Sequence, residues 1–144
     1  MPYPFQPISL TASATLDRDV HANGPLVKLN AAAGLTITLP ASSGKGDTYR
    51  ILIETTVTSN NDVIQVANAT DVMMGMVVTA QDAADTAVIW EAAATSDTIT
   101  LNGSTKGGIK GDYIEIEDAT AGFWRVLGHT SATGTEVTPF SAAV

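Results

Sequence analysis

The chain has no cysteine in its 144 residues, so it can form no disulfide framework, no thiolate metal site and no Cys nucleophile. It is also short of charge: 15% of residues are charged, against roughly 25% in ordinary soluble domains. Cations are the scarcer sign, with seven Lys and Arg against fifteen Asp and Glu, a net charge of -8 and a pI of about 4.4. Phosphate recognition needs several clustered basic side chains, and these seven are scattered, so neither nucleic acid nor an anionic membrane surface is an expected partner. No apolar run approaches the roughly 20 residues of a membrane-spanning helix. Residues 1–7, Met-Pro-Tyr-Pro-Phe-Gln-Pro, have neither the basic start nor the continuous apolar stretch of an export signal, and synthesis in the cytoplasm is expected.

What the chain does have is Thr, Ala, Ser and Gly in quantity, and a phrase stated twice. Thr36-Ile37-Thr38-Leu39, a polar turn, Lys45-Gly46-Asp47 and Tyr49–Ile53 are echoed by Thr98-Ile99-Thr100-Leu101, a Gly-rich turn, Lys110-Gly111-Asp112 and Tyr113–Ile116. Each copy reads as strand, loop, strand, a β-hairpin with a long polar tip. Leu35, Ile37 and Leu39 alternate with Thr36 and Thr38, the period of a half-buried strand. About ten such segments recur every 8–12 residues with turn chemistry between them, including a first strand over 14–20. The pattern predicts an all-β fold: an antiparallel β-sandwich or small jelly-roll-like barrel of about ten short strands, with two related hairpins. Helix is confined to one possible turn near 82–87.

Three segments follow in domain order. Residues 1–12 form an extended arm, because Pro2, Pro4 and Pro7 remove backbone donors while Tyr3, Phe5, Ile8 and Leu10 supply alternating apolar groups to grip a partner. Residues 13–129 form the single β domain, and 130–144 a polar C-terminal tail. The run Val72-Met73-Met74-Gly75-Met76-Val77-Val78 is the one unusual apolar stretch. As a strand it places Met74 and Met76 on one face and Met73 on the other, either buried or at a subunit interface.

Candidate chemistry is weak at every position. His21 and His129 are far apart, and Asp17 and Asp19 flank Arg18 without a cation-binding loop, so no metal or other cofactor is expected. Glu115, Glu117 and Asp118 read as a solvated strand end more readily than as an acid–base pair. The phosphate-loop pattern is incomplete around Gly44-Lys45-Gly46, and the two Lys-Gly-Asp tripeptides read as turns more readily than as recognition sequences. No catalytic residue is assigned, and an enzyme is not expected.

Gly34–Pro40, the Gly44–Tyr49 loop, Val63–Ala69, Thr98–Asn102, Gly111–Asp118 and Trp124-Arg125-Val126 together resemble the head decoration, or cement, proteins of tailed bacteriophages. The resemblance covers roughly residues 30–130. It implies a structural virion protein on the outer capsid surface, a homotrimer that binds the major capsid protein and bridges neighbouring subunits. The arm (Tyr3, Phe5, Ile8, Leu10) and Met74 and Met76 are then the candidate interface. The alternative is a fibre-associated receptor- or carbohydrate-binding module that stacks sugars on Trp90 or Trp124.

Overall fold

A computed structural model describes residues 5–144. The chain is all-β, apart from one helical turn, and folds as a sandwich of two sheets. Its first half alternates between them. β1 (Ile8–Leu10), β3 (Leu26–Leu29) and β5 (Thr48–Ile53) are parallel neighbours in a seven-stranded sheet. β2 (Ala14–Thr15), β4 (Thr36–Thr38) and β6 (Asp62–Gln65) are parallel neighbours in a five-stranded sheet. Parallel strands need a crossover between them. Here each strand of one sheet is the crossover for the other, so residues 8–66 make three turns of a flattened solenoid.

The second half is built of hairpins. β7 (Val72–Gln81) and β8 (Ala87–Glu91) pair antiparallel in the larger sheet, as do β10 (Tyr113–Thr120) and β11 (Phe123–Ala132). After each hairpin the chain visits the smaller sheet, as β9 (Thr98–Leu101) and β12 (Phe140–Ser141), which pair with each other. β11 lies parallel to β7, so the strand orders are β1-β3-β5-β10-β11-β7-β8 and β12-β9-β6-β4-β2.

The sandwich matches the expectation from periodicity, but the pairing is mixed, not antiparallel, and the repeated phrase is not a hairpin. β4 and β5 lie in different sheets, as do β9 and β10. The connections between them lack the two-residue turn that would pin a hairpin, so each copy crosses the sandwich instead. The two copies meet at β5 and β10, which pair antiparallel with Ile51 opposite Ile114 and Tyr49 opposite Ile116. Each Lys-Gly-Asp turn closes on the far end of the other copy's strand. Gly46 N–H donates to Asp118 O (2.8 Å) and Asp118 N–H to Asp47 O (2.9 Å). At the other end Gly111 N–H donates to Ile53 O and Ile53 N–H to Asp112 O, both 2.8 Å. The repeat is thus an approximate two-fold centred on this ladder.

Alternation along the strands fills the space between the sheets. Ile37, Ile51, Ile64, Ile99, Ile114 and Ile116 are all fully buried. Trp124 packs edge-on against Tyr49, with ring centroids 5.9 Å apart.

The arm and tail boundaries move. Ile8 sits opposite Val27 and Leu10 opposite Leu29, both fully buried, so β1 is an edge strand of the domain rather than part of a free arm. Pro7 precedes it directly, at an edge where its missing N–H costs no ladder bond. The tail also belongs to the sandwich, since β11 runs to Ala132 and Phe140 of β12 joins the core. The expected strand over 14–20 is cut short after Thr15 by α1 (Arg18–His21), where Asp17 accepts from the Asp19 N–H at 2.8 Å as a helix cap. Residues 82–85 form bends instead of a helical turn.

Gly75 lets β7 approach β11. Its φ is +124°, and a Cβ there would lie 1.9 Å from Val126 O. Gly75→Ala is therefore expected to lower stability by at least about 2 kcal/mol, read from urea denaturation. An unchanged midpoint would contradict this backbone geometry.

Candidate interaction surface

The seven-stranded sheet covers the core with one face and turns the other to solvent. On β11, Trp124 and Val126 point inward and Arg125, Leu127 and His129 outward. On β7, Met73 and Val77 are buried while Met74 and Met76 are exposed, and on β8 Ile89 is exposed. Register brings these outward residues together. Leu127 lies opposite Met76, Arg125 opposite Met74, and Val78 lies between His129 and Ile89. The result is an apolar strip in which Leu127 is 53% exposed, Ile89 59%, Met74 44% and Met76 37%. Contiguous exposed apolar residues of this kind mark interaction sites, whereas scattered ones do not.

The polar groups around the strip are mostly satisfied within the chain. Arg125 pairs with Glu117 across the β10–β11 ladder. Tyr113 O–H donates to Glu115 at 3.1 Å, and His129 stacks on the Tyr113 ring at 5.8 Å. A partner could cover the strip without stranding most of these charges.

The expected interface residues divide. Met74 and Met76 lie side by side in the strip. Ile8 and Leu10 face the sandwich interior from its β1 edge, which removes them from a free gripping arm. Phe5 is 58% exposed and lies over Gly24, where a Cβ would come within 2.3 Å of the ring. Tyr3 lies outside the described residues. Leu127 and Ile89 are additions. Their signal is in the sequence, since alternation from the buried Trp124 and Val126 sends Leu127 outward, as it sends Ile89 outward from Trp90.

The acidic cluster at the end of β10 separates by face. Glu115 and Glu117 point outward, while Asp118 is buried and clamps the 42–44 loop. It accepts from the Ser42 hydroxyl (2.7 Å), Ser43 N–H (2.9 Å), the Ser43 hydroxyl (2.8 Å) and Gly44 N–H (2.9 Å). Burial pushes its carboxyl up, but these bonds together outweigh it and hold the group below its ordinary range.

The aspartates of both Lys-Gly-Asp turns are buried clamps as well. Asp47 accepts two hydrogen bonds from Arg18 (2.7 and 2.9 Å) and one from Asn23 (2.7 Å), which hold it below the usual carboxylate range. Asp112 accepts from the N–H groups of Gly108, Ile109 and Ser131, yet burial still raises it. These roles make the tripeptides structural corners.

His21 Nδ1 accepts from the Asp17 N–H at 2.9 Å. Among the described residues, no three His or acidic side chains converge as a metal-holding group, and no cleft opens. Trp124 is 1% exposed and Trp90 packs against the core, each with its indole N–H buried and unpartnered.

No known protein family matches the chain, and no curated protein or solved structure is similar to it.

Among the described residues, Asp62 is the one acid with an unmet need. It is fully buried at the start of β6, its Oδ1 accepts from Leu35 N–H at 2.8 Å, and its Oδ2 has no partner. Burial raises its pKa from 3.8 to about 6, against the Leu35 bond. The folded state therefore holds the proton more tightly than the unfolded chain, and ionisation costs stability progressively as pH rises from about 4 to about 6. Asp62→Asn should gain stability relative to the wild type across that window, approaching roughly 3 kcal/mol above it. Thermal or urea unfolding from pH 3.5 to 8 checks this, and a wild-type-to-variant difference that stays flat with pH would contradict it.

Proposed function

We propose that this chain is a structural virion protein that decorates and stabilises a tailed-phage head. It binds the outer surface of the major capsid protein shell and bridges neighbouring subunits. The observation that carries this reading is the exposed apolar strip of Met74, Met76, Ile89 and Leu127 on a scaffold whose loops are tied down by buried aspartates. Such a protein needs rigidity and one adhesive face. Mechanically, each copy lays the strip on a complementary apolar surface of the shell. Burial there contributes about 25 cal/mol per Å², offset in part by the cost of association. The net charge of -8 gives the packaged genome nothing to bind, which fits a position outside the shell.

The fibre-associated, sugar-binding reading is less well supported, because Trp124 is buried and Trp90 is partly buried against the core.

The test mixes the full chain with undecorated shells of the phage that encodes it and counts copies sedimented per capsid subunit. Saturable, stoichiometric binding is expected. The double variant Met76→Glu with Leu127→Glu should reduce it at least tenfold while near-UV circular dichroism stays unchanged, because both side chains are already in solvent. Shell binding that the double variant leaves intact would remove the strip from the interface, and no binding by the wild type would overturn the reading.

A further inference from the structure

We propose that the β8 edge is a self-pairing site, at which two copies of this chain join strand to strand about a two-fold axis through Ile89. The sandwich has four edges, β1 and β8 in the larger sheet and β12 and β2 in the smaller. Three are short or guarded. β1 has three residues directly after Pro7, β12 has two directly after Pro139, and β2 has two. β8 has five residues, Ala87–Glu91, with no Pro and no Lys and a single charge at Glu91. A strand edge left open in this way is a template for another strand.

The bonds to β7 fix which backbone groups of β8 are free. Ala92 N–H donates to Gly75 O and Gln81 N–H to Thr86 O, both at 3.0 Å. Val77 lies opposite Trp90 and Thr79 opposite Val88 in the same ladder. Antiparallel ladders alternate, so the N–H and C=O of Val88 and Trp90 point to β7, and those of Ala87, Ile89 and Glu91 point away from it. No backbone bond to this outward row occurs among the described residues.

That row is complementary to itself. When two β8 strands run antiparallel with Ile89 opposite Ile89, Ala87 of each copy faces Glu91 of the other. All three residues on both strands then exchange hydrogen bonds. The two Glu91 carboxylates sit at opposite ends of the joint, each across from an alanine. The alternative register that sets Glu91 against Glu91 opposes like charges directly and is disfavoured. On the outer face the two Ile89 side chains meet as a cross-strand apolar pair. Ile89 is the most exposed large apolar residue described, at 59%, and pairing covers it. The strips of the two copies, each running from Leu127 through Met76, then join across the axis. This association does not depend on what the strip itself binds.

The experiment is sedimentation equilibrium and native mass spectrometry of the full chain over roughly 1 μM to 1 mM, the range in which small interfaces associate. A concentration-dependent dimer of the 14.9 kDa chain is expected. Ile89→Pro removes an N–H that no described residue of the chain accepts, and Ile89→Lys places a cation on the joint. Each should weaken dimerisation at least tenfold with near-UV circular dichroism unchanged. A monomer throughout, a trimer, or a dimer that neither variant weakens would overturn the proposal. Hydrogen exchange of the wild type gives a second reading free of any folding defect. The Ile89 and Glu91 amides should gain protection as concentration rises, and equal exchange at both ends of the range would contradict the pairing. Failure of shell binding with an intact Ile89-dependent dimer would overturn the capsid reading alone.

Discussion

Everything in this sandwich hangs on the antiparallel ladder between β5 and β10. Among the described residues it is the only seam in the larger sheet between the solenoid half, which ends at β6, and the hairpin half, which begins at β7. Its residues serve both purposes at once. Ile51, Ile53, Ile114 and Ile116 are fully buried against the smaller sheet, while the backbone on either side bonds the turn of one copy to the strand end of the other. The smaller sheet repeats the junction with β6 against β9, where Ile64 sits opposite Ile99. Two half-structures with different strand logic are therefore joined in both layers, and a rigid platform results.

A substantial minority of the acids of this chain are internal. Six aspartates, Asp47, Asp62, Asp71, Asp97, Asp112 and Asp118, are buried out of fifteen acidic residues, so the formal charge overstates how anionic the surface is. Among the described residues, Asp47 alone of these has a cationic partner, Arg18. Asp112 and Asp118 are met mainly by backbone N–H groups and short hydroxyls, Asp71 by Ser42 N–H and the Asn68 amide, and Asp97 by Thr98 and the N–H groups of Ala143 and Val144. A carboxylate that collects several donors ties a loop more tightly than turn residues alone. It also opposes the pH dependence of Asp62. Asp47 and Asp118, held low, contribute stability that is lost as pH falls toward their folded values, whereas Asp62 and Asp112, held high, cost stability as pH rises. Stability on this account peaks between the two limits.

Much of this was legible in the residues. Period-two alternation located nearly every strand, and it correctly split Met73 from Met74 and Met76. The repeated phrase marked two equivalent pieces of structure. What alternation could not supply was the sheet to which each strand belongs. Thr36–Leu39 and Tyr49–Ile53 look the same whether they fold back on each other or face each other across a core, because both arrangements bury the same alternate side chains. Parallel pairing was hidden for the same reason, since the crossover is itself a strand and not a helix with its own period. The edge strand at Ile8–Leu10 is hard to read from the sequence because Pro7 directly precedes it, and at an edge a missing donor does no harm. The Ile89 edge required the hydrogen-bond phase of the β7–β8 ladder, which no sequence pattern carries.

Native-state hydrogen exchange of the full chain tests most directly the claim that the β5–β10 seam makes the two halves one unit. The amides of Ile51, Ile53, Ile114 and Ile116 should be among the slowest in the molecule and should exchange together, only through global unfolding. Exchange in two separate steps, with the solenoid strands opening at one free energy and the hairpin strands at another, would show that the halves stand independently and would contradict the account.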